Sequence, residues 1–326
     1  MNEKEIMVSI CCITYNHEKY IKQALDGFLT QKTKFNYEII IYDDASTDNT
    51  PKIIKQYEEK YPEIIKPIYA KENQYSKGKQ TFNFTFQAAK GKYIALCEGD
   101  DYWIDENKLQ IQVDYMEKNQ ECSFCFHDAT VLDMKKNETG NWIWYNKRFF
   151  NKDGNYNAGE LDLLGFIPTA SYMFRKKYAN MLPEWFDKCI VGDRPLKLII
   201  TSFGYAHYID KVMSVYRVGI GNSAMDTINK QNKQNEKAIA YWKKIEWIID
   251  EFNCFSNYRY EKELRLSKNE ININILIAKN DFKTIIKEKK YRKSLGKMQK
   301  IKFFFKAYFP KIYQKMKKRL KKNYEE

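Results

Sequence analysis

No apolar run in this 326-residue chain approaches the roughly 18 residues that would span a bilayer, and the opening MNEKEIMVSI is too short and too polar for a secretory signal. A cytoplasmic protein is the expectation. Histidine is scarce, at three residues, and the seven cysteines are an odd number; Cys11 and Cys12 adjoin in a strand-like run where successive side chains face opposite ways. A disulfide framework is therefore not expected. Cys122, Cys125 and His127 come close together, but no second ligand pair follows at the spacing of a structural zinc site. No internal repeat is evident. Between Ile13 and Leu29 there is no glycine- and basic-rich phosphate loop, which a nucleotidyltransferase would be expected to carry near its first strand.

What the chain does have is material for a core. Hydrophobic residues make up 44% and aromatics 16%, including 25 Tyr and 20 Phe, which excludes a disordered protein. The formal charge of +14 is unevenly spread. From Lys283 to Lys322 there are 17 Lys and Arg against the single acid Glu288, so residues 1 to 282 are neutral in sum. The basic character belongs to a C-terminal segment and does not describe the body of the protein.

Residues 7 to 13 form a continuous apolar run of strand length, followed by Tyr20, Ala24, Leu25 and Phe28 at helical spacing. Glu38 to Tyr42 predicts a second strand, and Thr50 before Pro51 predicts an N-cap opening a helix to about Tyr61. Strands at 64–69, 92–97 and 123–126, with helices at 80–90 and 107–119, continue the alternation. Such alternation gives an α/β, mostly parallel sheet covered on both faces, whose ligands bind at the carboxyl ends of the strands. Residues 133 to 160 read as a long connection. Pro168 to Phe174 resumes the sheet, 193–203 is helical, 205–218 is strand, and the pattern beyond Gly221 is helical.

The chemistry gathers at those strand ends. Thr14, Tyr15 and Asn16 follow the first strand, Asp43 and Asp44 the second, and Glu98, Gly99, Asp100 and Asp101 the fourth. Several carboxylates at neighbouring strand ends repel one another unless a cation or donors stand between them. Hard oxygen ligands of this kind suit Mg2+ or Mn2+ and leave positions open for phosphates. Asp43 and Asp44 also read as turn residues, and Asp193 also reads as a helix N-cap.

Four ordered blocks, Val8–Asn16, Tyr42–Pro51, Gly91–Trp103 and Gly192–Pro195, resemble the family 2 glycosyltransferases of the GT-A fold across about residues 6 to 220. The resemblance implies a Rossmann-like catalytic domain over 1–222, with a nucleotide-sugar part at about 1–128 and an acceptor part at about 129–222. A helical extension over 223–326, with a basic tail at 283–322, would follow it. The resemblance also implies roles. Tyr15, within Thr14-Tyr15-Asn16, would pack on the nucleotide base, and Asp44 would bond the base's ring nitrogen. Asp100 would hold the ribose near the metal, and Glu98 would contact ribose or metal less directly. Asp101 would ligate the metal bridging the donor's phosphates, and Asp193 would be the general base of an inverting transfer. Two positions depart from the family pattern. Ile13 stands where many members have Pro. Gly219 stands where many have His after Tyr-Arg-Val, which leaves a third protein ligand unassigned, and Arg217 remains a candidate for the diphosphate.

The implied reaction moves a sugar from a nucleotide diphosphate donor, expected to be a UDP-sugar, to a hydroxyl of a glycan or lipid-linked saccharide in surface polysaccharide biosynthesis. The rival is a catalytically silent sensor of nucleotide sugars with a nucleic-acid-binding tail; the acids at 100, 101 and 193 argue against it. The tail interleaves aromatics with lysines. It suits an anionic membrane interface, placing the protein peripherally at the inner face, or else a packed helix with a solvated lysine face. No recognised DNA- or RNA-binding motif accompanies the charge.

Overall fold

A computed structural model describes residues 5–136, 138–141, 154–220 and 235–315. They form two compact units, 1–226 and 227–326. In chain order the first unit contains β1 (Ile6–Thr14), α1 (Ile21–Leu29), β2 (Asn36–Asp43), α2 (Thr50–Lys60), β3 (Ile65–Tyr69), α3 (Phe82–Ala88) and β4 (Tyr93–Leu96). There follow β5 (Tyr102–Trp103), α4 (Lys108–Lys118), β6 (Cys122–Asp133), β7 (Glu138–Asn141), β8 (Asn155–Tyr156), α5 (Ala158–Leu163), β9 (Met173–Arg175), α6 (Lys176–Ala179), α7 (Asp193–Ser202) and β10 (Tyr205–Val218).

The strands make one sheet in the order β3-β2-β1-β4-β9-β6-β10-β5, with β7 on β6 and β8 on β10. Strands β1 to β4 pair in parallel, and so do β6 and β10. The expected parallel α/β sheet is therefore present, with an addition that alternation alone does not reveal. The three-residue strand β9 runs antiparallel between β4 and β6. Arg175 at its end explains the seat: buried, it donates to the carbonyls of Met116 and Asn119 at the C-terminal end of α4, to Cys122 O and to the Tyr93 hydroxyl. Those helix-end carbonyls would otherwise lack partners.

The core is built from the runs that the sequence marks as apolar. Val8, Ile10 and Cys12 of β1 and Ile39 and Ile41 of β2 pack with Ala24, Leu25 and Phe28 of α1 and with Trp103. Trp103 meets Phe28 edge-on at 4.8 Å and donates its indole N–H to Ala170 O at 2.8 Å, so its one polar atom is satisfied. All the cysteines of this unit are buried, and burial pushes Cys122 up to about 12. The expected cap at Thr50 is corrected: Thr50 is the first residue of α2, and its hydroxyl accepts the His17 N–H instead, while Asp48 accepts the Thr50 N–H. The helix start is used to hold the loop after β1.

Lys108 lies fully buried beneath this sheet, its ammonium 4.0 Å from the Trp103 ring centre and 2.7 Å from Gln112 Oε1. Burial lowers its pKa from 10.5 to about 7. An unfolded chain keeps that proton to about pH 10, so between those values the unfolded state binds more protons and stability climbs with pH. Below pH 7 the cost of charging the buried amine is fully present. Lys108→Met removes the cost, and the variant should be the more stable by on the order of 2 kcal/mol at pH 6. Thermal unfolding checks this: the gap between variant and wild type should close by about pH 10, and a gap indifferent to pH would refute the assignment.

The second unit holds α8 (Asn235–Phe255), α9 (Glu261–Ala278), α10 (Phe282–Lys287), α11 (Lys289–Ser294) and α12 (Lys297–Tyr308). Ile245, Ile248, Ile249 and Phe252 are buried on α8 at helical spacing. A smaller core joins Ile273, Phe282, Ile285, Tyr291, Leu295 and Phe303. Among the described residues no helix is long and apolar enough to cross a membrane. The tail residues 316–322 and part of the 133–160 connection lie outside the described residues.

Candidate active site

The site forms where β1, β2 and β4 end side by side. Beyond the last ladder pair the backbones stay joined: Gly99 N donates to Ile13 O at 2.9 Å and Asp44 N to Thr14 O at 3.0 Å. A turn closed by Asp101 N to Glu98 O at 3.1 Å then folds residues 98–101 back on themselves. Glu98, Asp100 and Asp101 consequently converge, with one oxygen of each lying within 4.8 Å of the others. Gly99 is required at the turn, because a Cβ there would stand 2.7 Å from Thr14 Oγ1 and 3.0 Å from Ile21 Cδ1. Gly99→Ala should cost about 1–3 kcal/mol through overpacking. An unchanged unfolding temperature would contradict that.

The electrostatics of the cluster are unfavourable as it stands. Burial, then Asp100 and Asp193, push Glu98 up to about 8. Burial, then Asp100 and Glu98, raise Asp101 well above the carboxylate range. Asp101 Oδ1 accepts the Arg217 backbone N–H at 2.8 Å, but Oδ2 is buried without a partner. An orphaned buried carboxylate oxygen among three acids fits a hard divalent cation, which would supply both the missing partner and the missing charge.

Arg217 is held beside the acidic turn. Its guanidinium bonds Asp100 O and Gln23 Oε1, and it lies 4.4 Å from the Tyr102 ring centre and 5.1 Å from that of Tyr20. The side chain is thus a strut, which ties β10 and α1 to the acidic turn, and its contact with a diphosphate stays a candidate. Its placement follows from β5, whose Tyr102 pairs with Val215 of β10.

The remaining expected residues fall around the cluster. Thr14 is buried and its hydroxyl has no partner; Tyr15 is 40% exposed. Asn16 takes the left-handed conformation, with φ 56°. Its Oδ1 accepts the Thr47 N–H at 2.7 Å and its own N–H goes to Ser46 Oγ at 2.9 Å, joining the loops after β1 and β2. Asp44 is buried, and its two oxygens accept the backbone N–H groups of Gln74 at 2.7 Å and Tyr75 at 3.0 Å. It therefore holds the loop before α3 in place and keeps a lone pair on each oxygen for another donor. Asp193 is the first residue of α7. Gly192 occupies the cap position and no side chain caps the helix, so the carboxylate is not used as an N-cap.

Sequence reasoning passed over several neighbours. His17, read as structural, faces the cluster with Nε2 3.9 Å from Asp100 Oδ2, while its Nδ1 is buried and unpartnered. Tyr75 and Tyr172 have pKa values raised by burial first, and then by the charges of Glu98 and Asp193. Neither lies in a block with a recognisable spacing. Long-range contacts alone fix their positions: Tyr75 N donates to Asp44 Oδ2, and Tyr172 O accepts the Leu96 N–H.

A Rossmann-like sheet carrying an acidic turn at the end of β4 defines the GT-A class of nucleotide-sugar enzymes. A model of glycosyl transferase family 2 matches residues 9–182, more than half of the chain, and the chain belongs to that family. Over 189 residues it is 40% identical to an uncharacterised protein of Mycobacterium tuberculosis, covering 55% of this chain and 52% of that one. The chain thus spans about half the length of this relative. It is 38% identical over 112 residues, 34% of this chain and 41% of the relative, to a UDP-Glc:alpha-D-GlcNAc-diphosphoundecaprenol beta-1,3-glucosyltransferase of Escherichia coli. Among solved structures it resembles a mannosyltransferase of Pyrobaculum calidifontis in complex with GDP-Man and Mn2+. The TM-score is 0.53 at 13% identity, covering 94% of this chain and 89% of that one, which shows the shared GT-A fold.

Proposed function

We propose that this chain is an inverting, metal-dependent glycosyltransferase that moves a sugar from a nucleotide diphosphate to an acceptor hydroxyl. The observation that carries the reading is the convergence of Glu98, Asp100 and Asp101 around a buried, unpartnered Asp101 Oδ2, with Asp193 near enough to raise Glu98. Asp101, with Asp100, would hold Mg2+ or Mn2+, which when bound neutralises the charge that develops on the departing diphosphate. Tyr15 would cover the base, Asp44 would accept from its ring nitrogen, and Thr14 and Asn16 would shape the pocket. Asp193 would accept the proton of the attacking hydroxyl as that oxygen reaches the anomeric carbon from the face opposite the leaving group, inverting the centre.

The E. coli relative's name supports a UDP-sugar donor and a lipid-linked saccharide acceptor in polysaccharide biosynthesis, and the Pyrobaculum structure supports Mn2+. The test is thermal stabilisation by a panel of UDP- and GDP-sugars with and without Mn2+, followed by detection of released nucleoside diphosphate with candidate acceptors. Stabilisation by the best donor only when metal is present is the expected result. Donor binding that ignores both the metal and a chelator would overturn the metal assignment.

A further inference from the structure

Helix α12 has two apolar faces, and the second unit uses only one of them. Phe303 turns inward: it is buried, its ring centre lies 5.5 Å from that of Phe282, and it joins the small core with Ile285. Met298, Ile301, Phe304 and Tyr308 are 78%, 53%, 43% and 42% exposed. At about 100° per residue these four fall within an arc of roughly 120°, and Ile301 stands about 160° from Phe303. The open stripe is thus opposite the packed face. Beyond it the exposed Phe309 and Ile312 carry the same character toward the chain end.

The charges are arranged to match. Lys300 and Lys302 sit about 40° beyond the two edges of the stripe. Lys297 falls within the arc of the stripe, but as the first residue of the helix, where its long side chain can keep its ammonium in water while its methylenes lie along apolar surroundings. The whole segment from Lys283 to Lys322 carries 17 basic residues and one acid. A protein partner or a second copy of this chain would have to bring a strongly acidic surface to this stripe. Residues 1 to 282 are neutral in sum, so a second copy offers no net counter-charge. An anionic bilayer offers both a headgroup potential for the lysines and an acyl boundary for Ile, Phe and Met side chains.

We propose that α12 lies in the interface of an anionic lipid surface, inserting the Met298–Ile301–Phe304–Tyr308 stripe while its Phe303 face holds the second unit. The proposal does not depend on the glycosyl-transfer reading. Its test is sedimentation of the full chain with phosphatidylcholine vesicles, with or without about one third phosphatidylglycerol, at low salt and at 0.5 M salt. Wild type should sediment with the anionic vesicles alone and be released by salt, as expected for screened headgroup attraction. The double variant Ile301→Asp/Phe304→Asp changes exposed side chains only. It should lose at least tenfold in partitioning while keeping the wild-type unfolding temperature. Wild-type indifference to anionic vesicles overturns the proposal. Undiminished binding by the double variant does so too, because lysine charge alone would then suffice. A concentration-dependent dimer broken by the double variant, without vesicle binding, would assign the stripe to a second copy of the chain instead.

Discussion

Asp101→Asn is expected to abolish sugar transfer while leaving the metal-free protein at least as stable as wild type. The two effects have one cause. Asp101 is almost fully buried, and both its burial and the charges of Asp100 and Glu98 oppose its ionisation, so the folded chain holds this carboxylate at a cost. An asparagine keeps an oxygen to accept the Arg217 N–H and removes a like charge from the cluster. Stability should therefore hold or rise by on the order of 1 kcal/mol, as when a strained functional site is relieved. The amide cannot act as an anionic metal ligand, so turnover should fall by at least about three orders of magnitude, with metal-dependent donor stabilisation lost. Calorimetry with Mn2+ titration and a nucleoside-diphosphate release assay measure both. Normal activity in the presence of chelator would sink the metal assignment; a large loss of stability would instead make Asp101 a structural anchor for β10.

The second large effect belongs to Asp193. Asp193→Asn preserves volume and cannot take a proton from the acceptor, so turnover should fall by roughly two to four orders of magnitude, the usual worth of general-base catalysis. Donor affinity should persist, since in the proposed role Asp193 would act on the acceptor. The stability cost should stay below about 1 kcal/mol, because what is lost is an acidic charge in the first turn of α7 and not a capping bond. Donor titration, transfer rate and unfolding temperature separate the readings. Near-normal transfer with a markedly lowered unfolding temperature would show that the carboxylate serves the helix and not the reaction.

Much of this was legible in residue order. The apolar runs at 7–13 and 38–42 became β1 and β2 because a strand buried on both faces needs apolar side chains at every position, which a local pattern records. The acids of the turn after β4 were visible for the same reason: four consecutive residues bring their own proximity. The antiparallel β9 was not visible, since three residues carry no periodicity and its seat depends on Arg175 reaching carbonyls more than fifty residues away. The bracing role of Arg217 was hidden on the same ground, because its partners Asp100 and Gln23 stand 117 and 194 residues from it in the chain.

By itself, then, the sequence determined the family, the parallel α/β frame and which acids meet at the end of β4, because those follow from short-range hydrophobic pattern and from residues adjacent in the chain. It also placed all the net charge in one terminal segment. Only the tertiary structure decided that Asp101 keeps one oxygen bonded and one orphaned, that Asp44 is held by the backbone at 74 and 75, and that His17 lies beside Asp100. It alone decided which face of α12 is packed and which is open. Those facts are set by which surfaces remain after long-range burial is complete, and a sequence pattern that shows two apolar faces on one helix cannot say which of them the fold will use.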